Sequence, residues 1–416
     1  MNVLRKTHSL CPVCLRKISA DVVETSGTVK MVKSCSDHGD FSVMLSSHPG
    51  DYRAMHDSYF SYPGKGPGPD LYQLMLTLDC NISCRECFVR ANYHKYREPS
   101  LREIRQLLAG FRGKKIGLFG GEPTIREDLA DIIRIVRESG NAALLHTNGI
   151  RLAQKPYVEM LKKSGVSEVH LQFDGFDRDY YIGRRGADLL DSKLLALRNL
   201  RGCRMPTVIE ATVDENNIGE TPGILRYALN NRFVKAVVFR PVAHMKMPGG
   251  LMCVEDIMDE LCRSTGGRVS TGRVYRSQPL LYLLSHIFGR KKCFYNLYYP
   301  LFRGKRVRTL ADFVDLRRLA AIPGNARIIS WMRLITAMRW RSLLLLPSLF
   351  RLAYSGPLTF TKAGGAGCMI LAFAVICDPA RIDYQVMSCC NQGEISTDYG
   401  ISRATALVNV RRYHSK

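Results

Sequence analysis

The sequence has 416 residues, of which 46% are hydrophobic and 23% charged, a composition that excludes wholesale disorder and is typical of a globular protein. Its length suits one βα barrel with extensions as well as it suits two separate domains. The formal net charge of +23 favours a polyanion or an anionic membrane surface as partner. Residues 1–9 lack the apolar region of a secretory signal, and no apolar run reaches the roughly 20 residues of a membrane-spanning helix, so we expect a cytoplasmic protein.

Segment 1–62 is predicted to be a small metal-binding module. Cys11 and Cys14, separated by Pro and Val, resemble the knuckles of rubredoxin and zinc ribbons, in which two thiolates of a tight turn bind one metal ion. Cys35 and His38 would complete a set of three cysteines and one histidine for a mononuclear iron or zinc ion. The alternative is a solvated histidine beside an independent thiol.

Segment 71–245 follows a Pro/Gly linker at 63–70, which cannot continue a helix or a strand. Short apolar runs rich in branched residues alternate here with amphipathic stretches, which predicts repeated βα units and a parallel sheet. The predicted strands are 74–78, 115–119, 142–146, 168–173, 207–213 and 235–240. This α/β pattern predicts a partial (β/α)6 barrel with its chemistry at the carboxyl ends of the strands.

The most specific motif follows the first barrel strand. Cys80, Cys84 and Cys87 are spaced to hold a 4Fe-4S cluster by three thiolates, which leaves one iron open to chelate an amino and a carboxylate group. An electron delivered from such a cluster into the sulfonium of S-adenosylmethionine (SAM) would release a 5′-deoxyadenosyl radical. A zinc site is the alternative, although it would normally require a fourth ligand.

The second barrel strand ends in a Gly-Gly-Glu-Pro motif, and the two motifs together resemble those of the radical SAM superfamily. That resemblance implies that the second motif receives the amino group of SAM. Polar residues at the ends of later strands are expected near the SAM ribose and the substrate. The implied SAM-binding residues are Gly120, Gly121, Glu122, Pro123, Asn148, Gln172 and Asp174. Many members place an aromatic residue before the third cysteine; here Glu86 occupies that position and Phe88 is the candidate adenine contact.

Segment 246–416 breaks the alternation and is expected to be a helical extension that carries an auxiliary 4Fe-4S cluster. Its clustered cysteines are Cys368, Cys377, Cys389 and Cys390, with Cys262 and Cys293 as possible contributors; buried thiols are the alternative. For the isolated Cys203 and Cys253 we expect buried thiols. Between Gly289 and Arg351 there are fourteen Lys or Arg and two Asp. Tyr298, Tyr299, Trp331 and Trp340 are interleaved with them, and the apolar run Leu280–Leu284 precedes this basic segment. This pattern predicts peripheral contact with an anionic membrane, with a charged surface over ordinary core as the alternative.

A narrower resemblance covers nearly the whole chain and rests on short motifs near both ends. They are His8–Leu15, Cys35–Gly39, Leu45–Ser47, Asp51–Tyr52, Gly367–Ile370, Cys377–Pro379, Asp383 and Cys389–Cys390. These resemble the archaeal tetraether lipid synthases and their bacterial relatives, a family also described as dihydropterin methyltransferases. The resemblance implies an enzyme that forms carbon-carbon bonds on lipid hydrocarbon chains. After Cys390 an expected Pro-Phe-Cys stretch is missing, which places one auxiliary cluster in question.

Several functions therefore remain open at the level of sequence. The preferred one is radical coupling or alkylation of lipid chains, with an electron donor such as flavodoxin or ferredoxin and peripheral contact with the inner face of the membrane. Radical C-methylation of a pterin or another small soluble molecule is the first alternative, and RNA modification is the second. Nucleic acid is the less favoured polyanion because no RNA-binding signature accompanies the charge. A non-catalytic metal scaffold that binds membranes is a further alternative, disfavoured by the intact pair of motifs.

Overall fold

The structure is a computed structural model that describes residues 1–61, 69–85, 87, 89, 96–242, 252–287, 293–304, 306–315, 368–374, 380–387, 390, 392–398 and 400–402. The chain divides into two compact units. The first unit comprises Met1–Gly68, Val213–Pro222 and Phe239–Cys390, and the second comprises Pro69–Thr212, Gly223–Val238 and Asn391–Lys416.

The described strands are β1 (Asn2–Leu10), β2 (Lys17–Thr25), β3 (Thr28–Cys35), β4 (Gly39–Ser46), β5 (Leu71–Thr77), β6 (Lys115–Gly120), β7 (Ala142–Thr147), β8 (Val166–Gln172), β9 (Thr207–Val213), β10 (Val234–Pro241), β11 (Asn296–Phe302), β12 (Arg308–Thr309), β13 (Cys368–Ala374), β14 (Gln392–Ser396) and β15 (Gly400–Ser402). The described α-helices are α1 (Pro49–Ser61), α2 (Leu101–Leu108), α3 (Leu129–Glu138), α4 (Lys155–Ser164), α5 (Arg178–Arg185), α6 (Leu190–Gly202), α7 (Thr221–Asn230), α8 (Val254–Ser264), α9 (Thr271–Ile287) and α10 (Tyr384–Met387).

The first unit begins with a four-stranded antiparallel sheet in the order β1-β2-β3-β4. Ser26 and Gly27 both have positive φ between β2 and β3, which is the backbone of a tight hairpin turn. Lys33 of this sheet is buried, and its Nζ donates to Leu10 O at 2.7 Å and to Ala380 O at 2.8 Å. It also donates to the hydroxyl of Ser9, and these three acceptors offset the free-energy cost of burying the ammonium group. The bond to Ala380 O also fixes that residue against the sheet.

The second unit contains the predicted parallel sheet. All six predicted barrel strands are confirmed as β5 to β10, and neighbouring strands from β5 to β9 pair in parallel. Helix α2 begins with a capping box, in which the Ser100 side chain accepts from the backbone N of Glu103 and the Glu103 side chain accepts from the backbone N of Ser100. One pairing was not predicted: β14 adds to the sheet parallel to β5, with Gln392 opposite Leu71.

The region beyond the barrel strands differs from the predicted helical extension in containing strands as well as helices. In the first unit β11 pairs antiparallel with β12 and with β13. Apart from the half-buried Asn296, the residues opposite each other on β11 and β13 are apolar and buried, as at Leu301 and Met369, so their burial favours the sheet.

The prediction that aromatic and aliphatic side chains of this region contact a membrane is wrong for those that the structure describes. Tyr298 and Tyr299 are 2% and 0% exposed on β11, and Leu280 and Leu281 are 1% exposed on α9. These aromatic and aliphatic side chains belong to the core of the first unit, so they cannot also enter a lipid headgroup layer. Trp331 and Trp340 lie outside the described residues. Within the described part of the chain, no helix is long and apolar enough to span a membrane.

Candidate functional site

The loop after β5 carries the three predicted cluster ligands. Cys80, Cys84 and Cys87 are partly exposed. Burial raises the pKa of Cys80, and the nearby charges of Glu122, Cys84 and Cys87 raise it further. Among described residues, only two groups bring three or more ligand atoms within 4.8 Å of one another, and these three sulfurs are in neither.

Gly120 and Gly121 allow the backbone after β6 to lie in direct contact with the loop that carries the cysteines. Gly120 has a φ of +150°, and a Cβ there would lie 2.1 Å from Thr77 O. A Cβ on Gly121 would lie 2.1 Å from Asp79 O. Two hydrogen bonds close the contact, from Gly121 N to Thr77 O at 2.8 Å and from Glu122 N to Asp79 O at 2.7 Å. Only glycine permits this approach, and Asp79 directly precedes the first cysteine.

Glu122 is fully buried, and its carboxylate joins two loops. Oε1 accepts from the hydroxyls of Thr124 at 2.6 Å and Thr147 at 2.7 Å, and Oε2 accepts from Asn148 N at 2.6 Å. Burial raises the pKa of Glu122, although these hydrogen bonds act in the opposite direction. Glu122 therefore ties the end of β6 to the end of β7, a role that the sequence did not predict. Its contact with the SAM amino group stays a prediction, as does that of Pro123, which is buried in the same turn.

The predicted polar residues at the ends of β7 and β8 lie close to the cysteine loop. Asn148 Nδ2 donates to Asn81 Oδ1 at 2.7 Å and lies 3.9 Å from Cys80 Sγ. The side chain of Gln172 donates to Asp174. Asp174 is buried and accepts from Thr212 N at 3.0 Å. Burial alone would raise the pKa of Asp174, but the charge of Arg185 outweighs it and lowers that pKa. Phe88 lies outside the described residues.

Two cations beside this site were missed by the sequence analysis. Arg185 Nε donates to Asp174 Oδ2 at 2.7 Å, and Nη1 lies 3.6 Å from Cys84 Sγ. Its Nη2 is in ion-pair contact with the same carboxylate at 2.7 Å, yet it is buried and makes no hydrogen bond to a described residue. A guanidinium beside the cysteine loop fits an anionic ligand group such as the carboxylate of SAM.

Lys193 is the second missed cation and is completely buried on α6. Its Nζ donates to the backbone oxygens of Asn148 and Gln172, so it joins the ends of β7 and β8. Burial lowers the pKa of Lys193 to about 7. A sequence signal existed: Lys193 occupies the apolar stripe of its helix with the buried Ala196, Leu197 and Leu200, a position where a solvated lysine is not expected.

The structure brings the four predicted knuckle ligands together. The ligand atoms of Cys11, Cys14, Cys35 and His38 all lie within 4.8 Å of one another. Cys35 Sγ and Cys11 Sγ lie 3.5 Å and 3.7 Å from His38 Nδ1. The hydrogen bond with His38 is the main cause that lowers the pKa of Cys35 to about 6, which favours the thiolate that a metal ion needs. Three sulfurs and one nitrogen at this spacing fit a tetrahedral zinc or iron ion.

The predicted auxiliary site is described only in part. Cys377 and Cys389 lie outside the described residues, and Cys368 is buried on β13, where burial raises its thiol pKa to about 12. Cys368 and Cys390 belong to neither ligand group found among the described residues. The auxiliary cluster thus stays a prediction. Cys203 and Cys253 are buried single thiols, as predicted.

A further group of polar side chains lies on the face of the parallel sheet that carries Gln172. We call this the inner face. His146 on β7 is register partner to His170 on β8, and Gln172 is register partner to Glu210 on β9, so all four point to this face. Burial alone would lower the pKa of His170, but hydrogen bonds to Glu168 and Glu210 outweigh it and raise that pKa to about 9.

Comparison with known families agrees with this geometry. Residues 3–47 match the family described as "HMPTM N-terminal zinc ribbon domain", and residues 74–227 match "Radical SAM superfamily". The fold and the cysteine site thus define a radical SAM domain preceded by a zinc ribbon. Residues 74–227 thus belong to the radical SAM superfamily, whose SAM-dependent enzymes carry a 4Fe-4S cluster.

Several curated proteins are similar to this chain. A 7,8-dihydro-6-hydroxymethylpterin dimethyltransferase of Methanocaldococcus jannaschii is 32% identical over an alignment of 275 residues, which covers 58% of this chain and 53% of that protein. An Fe-coproporphyrin III synthase of Methanosarcina barkeri is 32% identical over 155 residues, covering 36% of this chain and 38% of that protein. The chain therefore spans about half the length of the first relative and less than half the length of the second.

Among solved structures, Streptococcus suis SuiB bound to S-adenosylmethionine has a TM-score of 0.40 at 16% identity, with 48% of this chain and 44% of that chain covered. This likeness is too weak to support an argument about substrate.

Proposed function

We propose that this protein uses SAM-derived radical chemistry to modify a polar, nitrogen-containing ring, with C-methylation of a reduced pterin as the reaction. The observation that carries the proposal is the polar inner face of the parallel sheet. Gln73, His146, Gln172 and Glu210 all lie on it. The side chain of Gln172 donates to Asp174, which Arg185 joins to the cysteine loop. Their side chains offer donors and acceptors of the kind that a heterocycle with amide and amino groups can satisfy.

The similarity to the pterin dimethyltransferase supports the same substrate class, since it extends over more than half of this chain. Lipid coupling is the alternative function. It rests on the basic segment between Gly289 and Arg351, most of which lies outside the described residues. A hydrocarbon chain against the inner face would cover Glu210 and His146 without replacing their hydrogen bonds to water, which costs free energy. The geometry of the second unit therefore favours the polar ring.

Each described residue of the site has a distinct role in the proposed reaction. A bound cluster and SAM supply a 5′-deoxyadenosyl radical. Cys80, Cys84 and Cys87 hold the cluster, and Arg185 offers a guanidinium to the SAM carboxylate. Lys193 fixes the two strand ends that carry Asn148 and Gln172, which keeps the SAM-facing loops in place.

The test is anaerobic turnover of the reconstituted full chain with SAM, a reductant and 7,8-dihydro-6-hydroxymethylpterin. We expect the pterin to increase 5′-deoxyadenosine formation and to gain mass in steps of one methyl group when a methyl donor is present. The variant with Cys80, Cys84 and Cys87 replaced by Ala should form no 5′-deoxyadenosine. Stimulation by phospholipid but not by pterin would contradict the proposal and favour the lipid rival.

A further inference from the structure

Three side chains on the inner face place ligand atoms around one point. His146 on β7, His170 on β8 and Glu210 on β9 bring these atoms within 4.8 Å of one another. His170 Nδ1 lies 2.7 Å from Glu210 Oε1, and His146 Nδ1 lies 3.8 Å from the same oxygen. All three belong to the second unit and none is a predicted SAM contact.

The outer nitrogen of His170 has the partner that a metal-bound imidazole requires. Its Nε2 lies 2.9 Å from Glu168 Oε1, and both side chains are 2% exposed. In protein metal sites, a ligating histidine commonly donates its second N–H to a carboxylate, which fixes the ring and raises its basicity. With Nε2–H donated to Glu168, the Nδ1 of His170 faces Glu210 and His146, where a bound cation would replace the proton that Nδ1 shares with Glu210.

His146 has an outer partner as well. Gln73 Nε2 lies 3.3 Å from His146 Nε2, while Gln73 Oε1 is buried and makes no hydrogen bond to a described residue. The two orientations of a side-chain amide have the same shape, so the choice between them rests on hydrogen bonding. Rotating this amide lets Oε1 accept from His146 Nε2–H. The buried oxygen Gln73 Oε1 is then satisfied, and Nδ1 is the nitrogen of His146 that would bind a metal ion.

The absence of a side chain at position 117 makes this arrangement possible. A Cβ on Gly117 would lie 2.2 Å from Gln73 Oε1 and 3.2 Å from His146 Nε2. Glycine at this point of β6 thus leaves the room in which the amide meets the imidazole.

We propose that His146, His170 and Glu210 bind one divalent cation of the zinc type, with Glu168 and Gln73 as outer partners. Two imidazoles and one carboxylate leave a fourth coordination position open, as in catalytic zinc sites. The side chains of His146 and Glu210 are 14% and 17% exposed, so the open position faces the accessible side of the sheet. A ring nitrogen or carbonyl oxygen of a substrate is the chemical class of ligand that would occupy it.

The experiment is a Co²⁺ titration of the full chain, anaerobically reconstituted with its cluster and with zinc already bound at the knuckle. We expect one further Co²⁺ per chain whose visible spectrum lacks the sulfur-to-metal charge-transfer band of thiolate sites. His146→Ala and Glu210→Ala should weaken this binding by at least about 10-fold, and the shape-conserving Glu168→Gln by about 10- to 100-fold. His48→Ala, outside the group, should leave it unchanged.

Two results would overturn the proposal: no Co²⁺ bound beyond the thiolate sites, or equal affinity in the wild type, Glu210→Ala and Glu168→Gln. Circular dichroism identifies a variant that fails to fold, and Glu168→Gln then decides the question because it preserves volume. The readout is metal affinity, so the outcome does not depend on whether a pterin is the substrate.

Discussion

A single glycine shows how closely the two loops of the SAM site are packed. Gly121 contacts the backbone of Asp79, one residue before Cys80, and its own N donates to Thr77 O at 2.8 Å. The position tolerates no side chain, and the surrounding groups are backbone atoms that cannot rotate away. A methyl group there must therefore move the cysteine loop itself.

We predict that Gly121→Ala lowers both SAM affinity and the iron content of reconstituted protein, at a cost of about 1–3 kcal/mol in stability. The reason is the 2.1 Å distance between the added Cβ and Asp79 O. Iron and sulfide analysis with equilibrium SAM binding measures the effect. Gly183→Ala is the matched control, because a Cβ at that helical position meets nothing within 4 Å. Equal loss in both variants would show that the loop contact is not the cause.

At the scale of elements, local patterns predicted the strands but not their partners. The runs around Leu118 and Leu145 are apolar and buried, and apolar runs between turn signals are visible in a sequence. The pairing of β14 with β5 joins residues more than three hundred positions apart, which no local pattern contains. The pairing of β11 with β13 was missed for the same reason, and the aromatic residues on β11 were taken for a membrane surface.

The residues of the SAM site were likewise predicted only where they belong to a short sequence motif. Its sequence motifs identified the cysteines and the glycine loop because each lies within one short segment. Arg185 and Lys193 act on residues from other strands, so only the fold places them beside Cys84 and Asn148. The inner-face histidines likewise come from two strands, and each alone looks like an ordinary polar residue in a strand.

The zinc-ribbon sheet gives a prediction about metal removal. Because β1–β4 make a small sheet, a metal bound by Cys11, Cys14, Cys35 and His38 should contribute directly to its stability. We predict that Cys14→Ser lowers bound zinc or iron by one equivalent and reduces the melting temperature by several degrees. SAM cleavage should persist, because the SAM-site residues belong to the second unit.

Metal analysis and thermal unfolding of Cys14→Ser test this prediction, with Cys203→Ala as the matched control. Cys203 is a buried thiol that belongs to neither ligand group of the described residues. Retention of the full metal content in Cys14→Ser would contradict the assignment of the knuckle.

At the scale of the whole molecule, the charge of +23 remains to be explained. The expected membrane contact combined basic residues with aromatic anchors, but Tyr298 and Tyr299 are buried and cannot serve as anchors. Any binding to anionic lipid by the described surface should therefore be mainly electrostatic. Electrostatic attraction between exposed charges is screened over about 8 Å at physiological ionic strength.

We predict that the protein co-sediments with phosphatidylglycerol vesicles at low salt and is released at high salt, because charge supplies most of the attraction. Phosphatidylcholine vesicles should not bind it. Replacing Arg290, Lys291 and Lys292 by Gln should weaken binding more than the same change at Lys155, Arg198 and Arg226, three exposed residues of the second unit. Equal weakening by both triple variants would assign the attraction to net charge alone, and salt-resistant binding would show that apolar contacts outside the described residues contribute. Failure of the wild type to bind at low salt would remove the membrane as a partner and leave the charge to a soluble polyanion.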